Sequence, residues 1–178
     1  TDQEHLFLDS GCLDDYQHPD RDSLKCKVMT SPWDDRKRFY EATAYLEGYY
    51  ERLLVQLAAY LNEVHRVSFK NRYWRILIGP WLFHFLHAFY DRYTHIVDAL
   101  IQWPDLETKV LDSQDFCATK DTLELVEKIS GDEYNLQLYS QILKGMGYSF
   151  PAQQRSGGYP DGGGSGAQAR GRLVTRRI

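Results

Sequence analysis

Cysteine is scarce in this chain of 178 residues: Cys12, Cys26 and Cys117 are odd in number and far apart. That excludes a disulfide scaffold and fits a reducing, cytoplasmic compartment. No CxxC pair, phosphate-binding GxxxxGK[ST] loop, GxGxxG turn or GxSxG elbow occurs. Thiol catalysis, a P-loop and a serine nucleophile elbow therefore have no support, and no cofactor is implied. An excess of positive charge is also missing. With 21 Lys and Arg against 25 Asp and Glu, the net charge of −4 excludes a strongly basic nucleic-acid binder. Long apolar runs are lacking: Ile76–Tyr90 is too short to span a bilayer, contains His84 and His87, and is closed by Arg75 and Asp91. No internal repeat is visible. The chain begins Thr1-Asp2-Gln3, without Met and without a basic-then-apolar leader, which reads as a trimmed start or a piece of a longer protein.

What is present is core-forming material, with 43% hydrophobic and 14% aromatic residues. Its charge is segmented: net −6 over residues 1–35, +4 over 36–95, −6 over 96–150 and +4 over 151–178. The basic centre coincides with the most aromatic stretch, a combination suited to anionic ligands or to peripheral membrane contact. Residues 151–178 hold seven of the 13 glycines and five arginines. Such a composition cannot offset its ordering entropy, so 1–150 is expected to be the folded region and 151–178 a disordered Gly/Arg-rich tail.

Patterning predicts a mostly α fold with a minor short-strand component. His5-Leu6-Phe7-Leu8-Asp9 reads as a buried strand, and the acidic stretch around Asp14, Asp15 and His18-Pro19-Asp20 as a loop. Ser31-Pro32-Trp33-Asp34-Asp35 predicts a helix start, with Ser31 capping and Pro32 in the first position. That helix runs to about His65, with Leu46, Tyr50, Leu53, Leu57, Tyr60 and Val64 on one face, widened by Leu54 and Leu61. A second helix covers Asn71 to Gln102, with a break or kink expected at Gly79-Pro80. Beyond it Leu82, Phe85 or Leu86, Phe89, Tyr93, Ile96 and Leu100 share a face. Lys109-Val110-Leu111 suggests a short strand. Thr119 or Asp121 caps a helix through Ile129, and a last helix runs from about Asp132 to the Gly145-Met146-Gly147 turn.

The densest chemistry lies in Asn71–Leu82. Arg72 and Arg75, spaced i, i+3, can jointly grip a phosphate or carboxylate, and Tyr73, Trp74 and Trp81 can stack on a sugar or base. Equally, the arginines can pair with Glu63, Asp91 or another nearby acid while the aromatics fill core. His65 can serve as a general base near neutral pH or simply as a cationic end to its helix. Asp91 and Arg92 can orient a site or pair locally. His87, Asp91 and His95 share a helical spacing, but the outer pair lies about 12 Å apart, too far for one ion, so no metal is expected.

The run Arg72-Tyr73-Trp74-Arg75-Ile76-Leu77-Ile78-Gly79-Pro80-Trp81-Leu82 resembles the signature of a family of bacterial transferases encoded in O-antigen and other surface-polysaccharide gene clusters. Four further stretches agree in order and spacing. Phe7-Leu8-Asp9-Ser10-Gly11-Cys12 looks like the family's Leu-Gly-x-Trp-Cys segment, although Asp9-Ser10-Gly11 stands where Gly, a variable residue and Trp are usual. Trp33-Asp34-Asp35-Arg36 matches its Trp-Asp-Asp-Arg helix start, and Leu61-Asn62-Glu63-Val64-His65 its Leu-Asn-x-x-His helix end. Tyr90-Asp91-Arg92-Tyr93 matches the aromatic-Asp-Arg-aromatic step that follows. The resemblance covers about residues 5–150.

This resemblance implies the N-terminal portion of a longer, two-domain α/β (Rossmann-like) sugar or polyol-phosphate transferase. The fragment alone is expected to be inactive. Its partners are expected to be a nucleotide-activated sugar or related donor and a glycan acceptor, bound with the help of a C-terminal half. His65 and Asp91 become catalytic candidates; Arg72, Trp74, Arg75, Trp81 and Arg92 become substrate-binding ones. The alternative is a non-catalytic helical interaction module docking through its long amphipathic face, and an uncovered face of that size invites self-association.

Overall fold

A computed structural model describes residues 4–9, 25–153 and 175–176. The expected acidic loop at 14–20 and residues 154–174 of the expected tail lie outside these described residues. Two long helices dominate, α1 (Arg36–His65) and α2 (Asn71–Gln102), followed by α3 (Thr122–Ile129) and α4 (Asp132–Gly145). Strand β1 (Glu4–Phe7) pairs in parallel with β2 (Cys26–Val28), in the register His5 to Cys26 and Phe7 to Val28. Strand β3 (Val110–Leu111) pairs in parallel with β4 (Ala152–Gln153), so α3 and α4 form the crossover that a parallel pair requires. Strand β5 (Thr175–Arg176) adds antiparallel to β1. The fold is thus mostly helical with a minor short-strand component, as expected, and its strands include two short parallel pairs; β2, β4 and β5 carry too little pattern to be read in sequence.

The start of α1 differs from expectation. Ser31 and Pro32 open a separate 3-10 turn, Pro32–Asp34, in which the Ser31 hydroxyl accepts from the Trp33 N–H. The long helix is capped instead by Asp35, whose carboxylate accepts from the N–H groups of Lys37 and Arg38 at 2.9 and 3.2 Å. Two consecutive stop-and-start signals were compressed into one because each is a valid cap. At its far end α1 closes on Arg66 in the left-handed region (φ 55°), where the Val67 N–H reaches the Asn62 carbonyl. The Asn62 side chain then fixes the turn into α2: it donates to Phe69 O and accepts from the N–H of Phe69 and from the Trp74 indole at 2.9 Å.

The expected break at Gly79-Pro80 does not occur, and α2 runs unbroken through both. Pro80 sits on the exposed side, next to strongly exposed Ile76, so the carbonyl it leaves without a donor faces water. Gly79 faces α1 so closely that a Cβ there would lie 2.7 Å from the Tyr50 hydroxyl. The expected stripe on α1 also needs correction. Leu46 and Leu54 are buried with Ala42 and Ala58, whereas Tyr60 and Val64 are exposed, as is Tyr93 on α2. Among the described residues no third layer covers the two-helix tip, so periodicity there does not become burial.

The body is layered around the second half of α2. Leu82 and Leu86 meet Leu54 of α1; Phe85 and Phe89 meet Leu125, Tyr134 and Leu138 of α3 and α4. Ile96 and Ala99 meet Leu6, Leu8 and Met29 from the β1–β2 pair together with Ile142 and Leu143. Asp121, not Thr119, caps α3, accepting from the Glu124 N–H while the Glu124 carboxylate reaches back to the Lys120 N–H.

Candidate functional site

The candidate residues fall into two groups on α2. Arg72 and Asp91 are 19 positions apart, about 28 Å along a helix axis, so no single pocket holds both.

At the tip, the Arg75 guanidinium forks onto the Glu51 carboxylate of α1, at 2.7 and 2.5 Å, and lies over the Tyr50 ring. The bond holds the Glu51 carboxyl below its ordinary value and pushes Arg75 further up. The partner is therefore neither Glu63 nor Asp91. Both side chains are about half exposed, so the pair is exchangeable with water or an incoming anion. Arg72 is exposed and has no ion pair or hydrogen bond among the described residues. Trp74 is buried, held by Asn62, with the His65 ring stacked on it at 6.1 Å. His65 is itself exposed at the last turn of α1.

Midway along α2, Trp81 stacks flat on Phe85 at 5.0 Å and donates its indole N–H to the Thr119 hydroxyl. Its face is spent on packing against the α3–α4 side.

The second group is a connected polar network. Asp91 Oδ1 accepts from the Trp33 indole at 2.5 Å, and its Oδ2 accepts from Arg92 at 2.5 Å. Arg92 also donates from Nε to Asn135 Oδ1 and from its other terminal nitrogen to the Ile129 carbonyl. Asn135 in turn donates to the carbonyls of Ile129 and Gly131, so Arg92 ties Asp91 to the α3–α4 turn. His95 is buried, its Nδ1 lies 2.8 Å from the Asp91 carbonyl and 3.4 Å from Oδ1, and its Nε2 has no hydrogen-bond partner among the described residues. One turn further, Asp98 takes a two-pronged bond from Arg38 at 2.6 and 2.8 Å, which pushes the guanidinium up.

The network remains open to solvent, with Asp91 and Arg92 side chains 29% and 22% exposed. A carboxylate accepts about four hydrogen bonds and a guanidinium donates five; each therefore keeps spare capacity for a ligand. Trp33 enters five residues beyond the end of β2, on the segment that leads from the β1–β2 pair into α1. Trp33, Asn135 and His95 were absent from the sequence-derived site. Trp33 and Asp91 were both recognised as family positions; nothing in one dimension pairs residues 58 apart.

A cavity of about 260 Å³ lies elsewhere, at the end of β3, lined by Asp112, Ser113, Ser140 and Lys144 among others. None of the candidate residues lines it. Among the described residues, no group of His, Cys, Asp and Glu is placed to hold a metal, and no helix is long and apolar enough to cross a membrane.

The described residues thus form a mostly helical body with short strand pairs and a solvent-open polar network around Asp91. The chain belongs to the LIC12162 family of transferases: that family's pattern matches residues 1–167, continuing beyond the stretch over which the resemblance was read. No curated protein and no solved structure matches it.

Proposed function

We propose that this chain is the N-terminal region of a glycosyltransferase-like enzyme of bacterial surface-polysaccharide (O-antigen) biosynthesis, working at the cytoplasmic side of that process. In this reading residues 1–150 pack against a Rossmann-like C-terminal half that carries the nucleotide-linked donor. The acceptor hydroxyl oxygen bonds to the anomeric carbon, the nucleotide diphosphate leaves with the bonding electron pair, and the hydroxyl proton passes to a base. Asp91 is the base candidate in this chain, steadied by Trp33 and Arg92. Arg72 and Arg75 stand about 24 to 28 Å along α2 from Asp91, so they meet a distal anionic part of the substrate, which displaces Glu51 from Arg75, and His65, stacked on Trp74, lies at that distal contact as a proton carrier. Arg92 stands beside Asp91, and its spare donors are the ones placed to hold the leaving phosphates, which lowers the barrier.

The observation that carries the reading is the Asp91 carboxylate, fixed from two sides yet open to solvent, in a chain of a transferase family. The test is made in the full-length enzyme. Asp91→Asn keeps the shape and should lower kcat at least about 100-fold, the scale of a lost general base. Arg72→Ala and Arg75→Ala should each raise KM with the circular dichroism unchanged. An unaltered kcat in Asp91→Asn removes the base assignment, and an unaltered KM in both arginine variants removes the distal contact.

A second reading has its own observation. Val64, Phe69, Tyr73, Ile76 and Leu77 are all exposed around the helical tip, which suits a docking module. That reading predicts a partner bound through the tip and no loss of function on Asp91→Asn.

A further inference from the structure

The face of α1 and α2 beside Trp33 carries a continuous row of aromatic rings that the body does not bury. Trp33 lies 6.3 Å from Tyr90, Tyr90 lies 5.7 Å from Tyr45, and Tyr45 stacks on Tyr49 at 5.9 Å with planes 18° apart. Arg52 closes the far end, its guanidinium 5.7 Å from the centre of the Tyr49 ring. Tyr45 is 51% exposed and Tyr49 38%. Isolated exposed aromatics are ordinary on a protein surface, but a contiguous set marks a binding face.

We propose that this row is a glycan-binding platform, the acceptor subsite of the transferase, taking a neutral oligosaccharide laid along Trp33, Tyr90, Tyr45 and Tyr49. This assignment rests on the sugar-transfer reading above. A pyranose ring presents a C–H face rimmed by hydroxyls, and a tyrosine presents a flat apolar body with a wet polar tip, so each matches the other. The ring-to-ring steps are close to one another and to the repeat of an extended hexose chain.

Charge selects among occupants. Of the charged groups bordering the row, Arg38 closes on Asp98 and Arg92 on Asp91, while Arg52 at the far end is exposed and has no ion pair among the described residues. Arg38 lies near enough to Tyr90 to feel its phenol. The row therefore offers rings and hydroxyls between neutralised pairs at its inner end and a single cation at its outer end, whose N–H groups can donate to sugar hydroxyls, which suits a polyol better than a polyanion. Its inner end, Trp33, is the same indole that holds Asp91, so a glycan following the rings arrives at the carboxylate proposed as base.

The test is saturation-transfer NMR on the whole 178-residue chain with maltohexaose, cellohexaose and isomaltohexaose, and no donor present. At least one should receive saturation and bind in the millimolar range. Tyr45→Ala and Tyr49→Ala should each weaken it about five- to tenfold, while Tyr45→Phe, which keeps the ring, should cost less than twofold. Unchanged melting curves confirm that the variants fold. No saturation of any of the three sugars, or equal binding by the alanine variants, overturns the platform. So does sedimentation showing a dimer that Tyr45→Ala dissolves, which makes the row a seam between copies, or binding of an apolar dye but no sugar, which makes it a protein-docking face. Because no donor is used, a failed transfer assay leaves the platform standing. Transfer that proceeds without sugar binding to the row removes the platform and keeps the enzyme.

Discussion

The two ends of α2 are built on opposite principles. From Asn71 to Pro80 only Trp74 and Gly79 are buried, and among the described residues the helix leans on α1; from Trp81 to Gln102 seven residues are buried between α1, the β1–β2 pair and α3–α4. The charges follow the packing. At the tip Arg75 and Glu51 form one half-exposed pair; in the body Asp91 and Arg92 belong to a network that reaches Trp33, Asn135 and Ile129. Exposed pairs trade partners easily, whereas networks hold a fixed geometry. The tip is thus suited to meeting a ligand or partner and the body to positioning one.

The contrast should appear most strongly in stability. Leu138→Ala empties a fully buried position on α4 and should cost about 2–5 kcal/mol, read as a lower urea midpoint. Ile76→Ala at the tip, where the side chain is 71% exposed, should stay within about 0.5 kcal/mol. Equal losses would mean that the tip is covered and that the difference between the ends is false.

Charge removal sharpens the same comparison. Asp91→Ala leaves the Trp33 indole and the Arg92 guanidinium short of an acceptor and should cost about 2 kcal/mol. Arg75→Ala should leave the unfolding midpoint where it was, because Glu51 returns to water. A large loss for Arg75→Ala would make that arginine a structural brace and remove it from the proposed distal substrate contact.

How much of this was legible follows the same division. The bounds of α2, the end of α1 at His65 and the strand at Val110 came from caps, periodicity and turn residues, all local signals. Tyr60 and Val64 continue the stripe of α1 perfectly and are nonetheless exposed, because periodicity states which residues share a face and not whether anything covers it. The Trp33–Asp91 and Arg38–Asp98 bonds join residues about sixty positions apart. They depend on the hairpin bringing the start of α1 beside the end of α2. The residues of the cluster at Arg72 and Arg75 are neighbours in sequence; those of the better-organised network are dispersed over four elements, the 3-10 turn, α2, α3 and α4.

Where tip and body meet, one contact tests the geometry at the scale of a single atom. Gly79 lies inside a helix, where alanine is ordinarily favoured by about 1 kcal/mol, yet a Cβ there would stand 2.7 Å from the Tyr50 hydroxyl oxygen. The Tyr50 ring is not free to swing away: Arg75 lies over it and Phe83 meets it edge-on. Gly79→Ala should therefore destabilise the protein by about 1 kcal/mol, the clash outweighing the gain in helix propensity. Tyr50→Phe deletes the one atom that is too close; the neighbours left, Arg75 Cγ at 3.5 Å and the ring carbon at 3.9 Å, are ordinary contacts. In that background the same substitution should change sign and stabilise by about 0.5 kcal/mol. A four-cornered set of urea titrations reads the coupling directly. If Gly79→Ala acts the same with and without the hydroxyl, α1 and α2 do not approach at this point, and the alignment that carries the tip's residues away from the body's network is wrong.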